Sequence, residues 1–150
     1  MTIESQFMRE AIVEAEAAAS AGEVTIGAVV VQNGEIVGRG QNRVLRDLDP
    51  TAHAEIVAMR AASRALKNYR LTGCELYVTL EPCSMCAGAM IHARLARLIY
   101  AASDPKAGAV ESVLEVLNHP RLNHQMAVDA GMLSEEAGAL LREFFKQRRS

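Results

Sequence analysis

Phe7, Met8, Ala11, Ile12 and Ala15 recur at the three- and four-residue spacing of one helix face, which predicts a helix from about Ser5 to Ala21, ended by Gly22. The period then changes. Val24 to Val31 is dense in β-branched residues, Asn33-Gly34 is a strong hairpin-turn pair, and Glu35 to Gly40 returns as a second strand. Asn42 to Leu48 reads as a loop, and Asp49-Pro50-Thr51 supplies a capping side chain and an early proline for a helix running to about Leu66. Glu75 to Leu80 reads as a buried strand. Pro82 opens a helix over Cys83 to His92, and Arg97 to Ala101 is a further short strand. Ser112 to Asn118 is read as a helix and Gln125 to Val128 as a weak fifth strand. Ser134 to Arg149 is the closing helix, with Leu140, Leu141, Phe144 and Phe145 along one side. Strands alternating with helices after an initial hairpin imply an α/β chain: a three-layer α/β/α sandwich around a five-stranded mixed sheet, mostly parallel beyond the hairpin.

Composition narrows the picture without changing it. The 150 residues, half of them hydrophobic, match one globular domain spanning 1–150, with no repeat or low-complexity linker. A formal net charge of -2 leaves no global basic character, so any nucleic-acid surface must be local. Such a patch is offered by the closing segment, which carries Arg142, Lys146, Arg148 and Arg149 against Glu143. Cations and aromatics there also fit a helix end and a core face. Glu4, Arg9, Glu10, Glu14 and Glu16 occupy the stretch where a secretory signal would be apolar, and no window approaches a membrane span. A cytoplasmic protein with no membrane partner is therefore expected. The three cysteines are odd in number, with Cys83 and Cys86 close together, which favours metal or redox chemistry over a disulfide framework.

The chemistry concentrates in two segments that each open a helix: Thr51-Ala52-His53-Ala54-Glu55 and Glu81-Pro82-Cys83-Ser84-Met85-Cys86. Cys83 and Cys86, three apart, place both sulfurs on one face of a turn where they reach a single tetrahedral zinc, with His53 as third ligand. The fourth position stays open, which distinguishes a catalytic zinc from a structural one and admits a water of lowered pKa. Glu55 lies two residues from His53 and so cannot share its direction on a regular helix. At the first turn it can extend over the helix end as a general acid/base. A Cys-x-x-Cys pair alone also fits a structural half-site or a redox pair, and Cys74 could complete a closed four-ligand site or be a buried inert thiol. Jointly, His-x-Glu followed by Pro-Cys-x-x-Cys is the known signature of zinc deaminases.

With those motifs in view, the chain resembles the tRNA-specific adenosine deaminase family of the cytidine deaminase-like zinc enzymes. Its strongest segments are 49–55, 76–83 and 85–92. Asn68-Tyr69-Arg70-Leu71, Asp104-x-Lys106-x-Gly108-Ala109, Asn123-His124 and Phe144-Phe145-x-x-Arg148-Arg149 also match. The resemblance implies one Zn2+ per subunit on His53, Cys83 and Cys86, with Glu55 shuttling protons during conversion of wobble adenosine to inosine. It implies substrate contacts from Asn42, Ala54, Leu80, Asp104, Lys106, Asn123, Phe145 and Arg149, a tRNA anticodon stem-loop as partner, and a homodimer touching the RNA from both subunits. The helix Ala87-Gly88-Ala89-Met90-Ile91 is a candidate interface or a core element. Thr25 and Glu111 depart from the family pattern, which has proline and glycine there. The alternative is a free nucleobase or nucleoside deaminase, of guanine or cytosine type, with the same zinc site.

Overall fold

The computed structural model describes residues 2–149, with the side chain of Arg149 outside the described residues. Helix α1 (Ile3–Ser20) is capped by the Thr2 hydroxyl, which accepts from Ser5 N at 3.0 Å. Gly22, at φ 83°, turns the chain so that Glu23 N reaches back to Ala18 O. The strands β1 (Gly27–Gln32) and β2 (Glu35–Gln41) form the expected hairpin through Asn33-Gly34. Then come α2 (Ala54–Leu66), β3 (Glu75–Leu80), α3 (Ser84–Ala93), β4 (Arg97–Ala102), β5 (Ala127–Ala130) and α4 (Ser134–Arg149).

The sheet runs β2-β1-β3-β4-β5. β1 is antiparallel to both β2 and β3, while β3, β4 and β5 are parallel, so the sheet is mixed and the parallel part begins at β3. Successive strand residues face opposite layers. Val29, Val31, Tyr77 and Ile99 pack against Met8 and Ala11 of α1 and Ala137 of α4, whereas Ala28, Val30, Leu76, Val78 and Leu98 pack against Ala58 and Ala62 of α2 and Ala87 and Met90 of α3. This is the three-layer arrangement expected. Gly38 and Gly40 let α2 lie directly on β2, because a β-carbon at Gly40 would strike Ala54 O and Ala58 N. No helix among the described residues is long and apolar enough to cross a membrane.

Four local expectations change. The first strand begins at Gly27 instead of Val24, since Ile26 N bonds Val24 O in a tight bend. Helix α2 begins only at Ala54: Asp49 Oδ1 accepts from the N–H and hydroxyl of Thr51, closing a local turn instead of capping a helix. Residues 112–118 are not helical. Their donors go elsewhere, Ser112 N to Glu81 and Val113 N and Leu114 N to Gly108 O, so no helical ladder forms. The last strand starts at Ala127, because Met126 N is already bonded to Asn118 Oδ1.

Candidate active site

His53 and Cys83 are the N-cap residues of α2 and α3, both with extended backbone and neither making a side-chain cap bond. Their side chains are therefore free to reach beyond the helix ends, and the two ends meet. His53 Nδ1 lies 3.6 Å from Cys83 Sγ and 3.5 Å from Cys86 Sγ, and all three donor atoms fall within 4.8 Å of one another. A tetrahedral zinc at about 2.1 Å from nitrogen and 2.3 Å from sulfur would set the N···S separation at about 3.6 Å, so this donor set fits that ion. Cys74 is buried apart from the group, and His92 is exposed on the last turn of α3.

Hydrogen bonding and burial already polarise the cluster. The Cys83 thiol is held down at about 3, chiefly by its bond from Cys86 and then by His53. Its thiolate, together with burial, pushes Cys86 up. Glu55, 4% exposed at the first turn of α2, stands against Cys86 and in the field of His53 and Cys83. Burial raises its carboxyl to about 7, near neutrality, where a group both takes and returns protons.

A cavity of about 450 Å³ opens beside His53, lined also by Glu23, Asn42, Leu45, Phe145 and Arg148. Three of the expected site residues thus share one wall. Asn42 is buried, and its Oδ1 accepts from Val44 N at 3.1 Å, which turns the amide NH2 away from that turn. Phe145 is half exposed and meets Phe144 edge to face at 5.4 Å. Arg148 is committed within the fold, donating to Gly22 O at 2.5 Å and lying over the Phe144 ring, so the closing basic segment is partly structural.

Other expected contacts lie elsewhere. Leu80 lines a separate cavity of about 630 Å³ with Ser103, Pro105 and Arg142. Ala54 is fully buried, main chain included, and lines neither cavity. Asp104 and Lys106 occupy the loop after β4 and line neither cavity, and Asn123 is exposed beside His124, which bonds Leu95 O. The Arg149 side chain, also expected at the site, is outside the described residues.

Two buried carboxylates that the sequence did not single out organise these loops. Glu81 accepts from the N–H groups of Asp104, Val110, Glu111 and Ser112 and from the Ser112 hydroxyl. Burial alone would raise it; the donors from Glu111, Ser112 and Asp104 prevail and hold it at about 2. Gly108 presses on this carboxylate, where a β-carbon would collide with it. Gly108→Ala should therefore loosen the loop 104–112 and lower stability by about 1–3 kcal/mol, read by thermal unfolding. Glu111 contributes its backbone N–H, which a glycine would equally supply. Glu23 similarly accepts from Leu45 N, Arg46 N and Arg46 Nε. Burial opposes ionisation, but these bonds outweigh it and hold Glu23 below its ordinary 4.5. A carboxyl so depressed stabilises the fold above about pH 4.5 and withdraws that support as pH falls through its folded value. Tm should consequently drop less steeply in acid for Glu23→Gln than for the unaltered protein.

The profile of the MafB19-like deaminase family matches residues 3–149. The chain is 46% identical over 149 residues to the tRNA-specific adenosine deaminase of Agrobacterium fabrum, covering 99% of this chain and 98% of that protein. It superposes with TM-score 0.88 and 47% identity on a structure from studies of A-to-I editing by tRNA:A34 deaminases, over 91% of this chain and 99% of that one. A guanine deaminase from Nitrosomonas europaea is similar at TM-score 0.79 and 28% identity, covering 93% of this chain and 83% of its own.

Proposed function

Because the chain belongs to the MafB19-like deaminase family and, within it, to the tRNA-specific adenosine deaminases, we propose that it converts adenosine to inosine at the wobble position of tRNA. The observation that carries the chemistry is the His53, Cys83 and Cys86 donor set, with the buried Glu55 against Cys86 and a cavity beside His53. These three residues would hold zinc, which supplies acidification of a water when bound. Glu55 accepts a proton from the attacking water, returns it to a ring nitrogen, and carries the second proton to the departing amino group. Adenosine and water become inosine and ammonia.

Asn42 directs its amide NH2 toward an acceptor of the target nucleotide, since its oxygen is taken by Val44. Phe145 offers an exposed ring on which a base stacks, at the mouth of the same cavity. The loop bearing Asp104 and Lys106, with Leu80, Ala54, Asn123 and Arg149, serves the RNA substrate; their place in the family's pattern supports this assignment. A homodimer is supported by the family's pattern, with the cleft between α2 and α3, lined by Ile56, Met59, Ala89, Arg60, Arg64 and His92, as its candidate face. A tRNA substrate supports a cytoplasmic location.

The test is inosine formation in an anticodon stem-loop with adenosine at the wobble position, beside free guanine, cytosine and adenosine. Inosine in the stem-loop is expected, with no ammonia from the free bases or the nucleoside. Ammonia from guanine with a silent stem-loop would move the chain to the branch of the guanine deaminases.

A further inference from the structure

Asn42 stands at the cavity wall, and Val44 N orients its amide, but that local turn does not explain what holds the Asn42 main chain in place. The explanation lies across the fold. Glu23, 1% exposed at the end of the α1 turn, receives Leu45 N at 3.1 Å on one oxygen and Arg46 N at 2.8 Å and Arg46 Nε at 3.1 Å on the other. Arg46 also reaches the start of the same loop: Nη2 donates to Asn42 O at 2.7 Å and to Gln41 Oε1 at 2.9 Å. Asn42 N donates to Ile26 O, and its Oδ1 accepts from Val44 N. No described residue takes Asn42 Nδ2. Its main chain and amide oxygen are thus engaged internally, leaving the amide NH2, with its two N–H donors, for a ligand. Arg43 N also bonds Ala52 O, tying this loop to the residue before His53.

We propose that Glu23, acting through Arg46, is a positioning residue that fixes the Asn42 amide in the nucleoside cavity and so sets substrate affinity. The inference rests on the proposed deaminase function for the identity of the substrate, but the clamp itself is independent of which base enters. Arg46 suits the task because its planar guanidinium bonds the Glu23 carboxylate through Nε and the Asn42 carbonyl through Nη2 at once. A lysine, with a single point-like head, could not span both. A carboxylate at 23 suits it because each of its oxygens faces an N–H, and an amide there would turn a donor toward a donor.

Steady-state inosine formation on the wobble-adenosine stem-loop, with zinc content measured in parallel, tests this in the full chain carrying Glu23→Gln, Arg46→Ala, Asn42→Ala and the Glu23→Gln/Asn42→Ala pair. Each single variant should raise KM by about tenfold, leave kcat within about threefold, and keep its zinc. The pair should be no worse than Asn42→Ala alone, because Glu23 has nothing left to position once the amide is gone. KM effects that multiply to about a hundredfold in the pair, or a Glu23→Gln protein with lowered Tm and unchanged KM, would overturn the proposal. Arg46→Ala with Arg46→Ala/Asn42→Ala carries the same cycle at a partly exposed residue if Glu23→Gln does not fold. Should the unaltered protein prove silent on the stem-loop but deaminate a free base, the proposed substrate falls, and the cycle run on that base still decides the clamp.

Discussion

Glu55→Ala should retain about one zinc per chain and lose inosine formation by at least about a thousandfold. The two halves of that result have separate causes. Zinc is retained because the donor atoms belong to His53, Cys83 and Cys86, whose N···S separations of 3.6 and 3.5 Å match tetrahedral ligation without a carboxylate. Activity is lost because Glu55 is the buried group beside that cluster whose carboxyl is brought near 7, and no other described carboxylate combines that position with that value. Glu23 and Glu81, the other buried acids, are engaged by N–H donors and held low, so neither replaces it. Metal analysis and a stem-loop assay on one preparation check both halves. Loss of zinc from Glu55→Ala would make it a ligand and refute its assignment to proton transfer.

Cys86→Ala should lose zinc and activity together, and should also destabilise the fold. Cys86 is fully buried in the first turn of α3 and links it to His53, the cap of α2. Zinc present at about 100 to 1,000 times its Kd stabilises the folded state by about 2.7–4.1 kcal/mol. For a chain of this length, forfeiting it should lower Tm by roughly 5–15 °C. Chelation of the unaltered protein should reproduce most of that shift, whereas Cys74→Ala, away from the cluster, should keep both metal and activity. A Cys86→Ala protein that binds zinc at full occupancy would break the assignment.

The candidate metal and proton-transfer residues were legible because each pair is short-range in the chain. Cys83 and Cys86 are brought together by a single turn, and His53 and Glu55 by a helix start. The strands were legible from β-branched runs, and the hairpin from Asn33-Gly34. Where reading failed, a distant partner had claimed a local group. Residues 112–118 carry helix-compatible side chains, but Glu81 and Gly108 take their donors. Asp49 looked like a helix cap and instead closes a turn on Thr51. Among the cations of the closing segment, Arg148 is drawn to Gly22 O and Phe144.

Local spacing along the chain was enough for most of the elements and for naming His53, Glu55, Cys83 and Cys86 as candidates, because helix starts and strand pairs are marked by neighbours within a turn or a hairpin. It could not say that the ends of α2 and α3 meet, that Asn42 and Phe145 share a cavity with His53, or that Glu23 and Glu81 are buried anchors. Those facts arise only when the layers close on the sheet. A carboxylate becomes an anchor when burial removes its water and backbone N–H groups from remote loops replace it, and one-dimensional order holds no record of which loops those are.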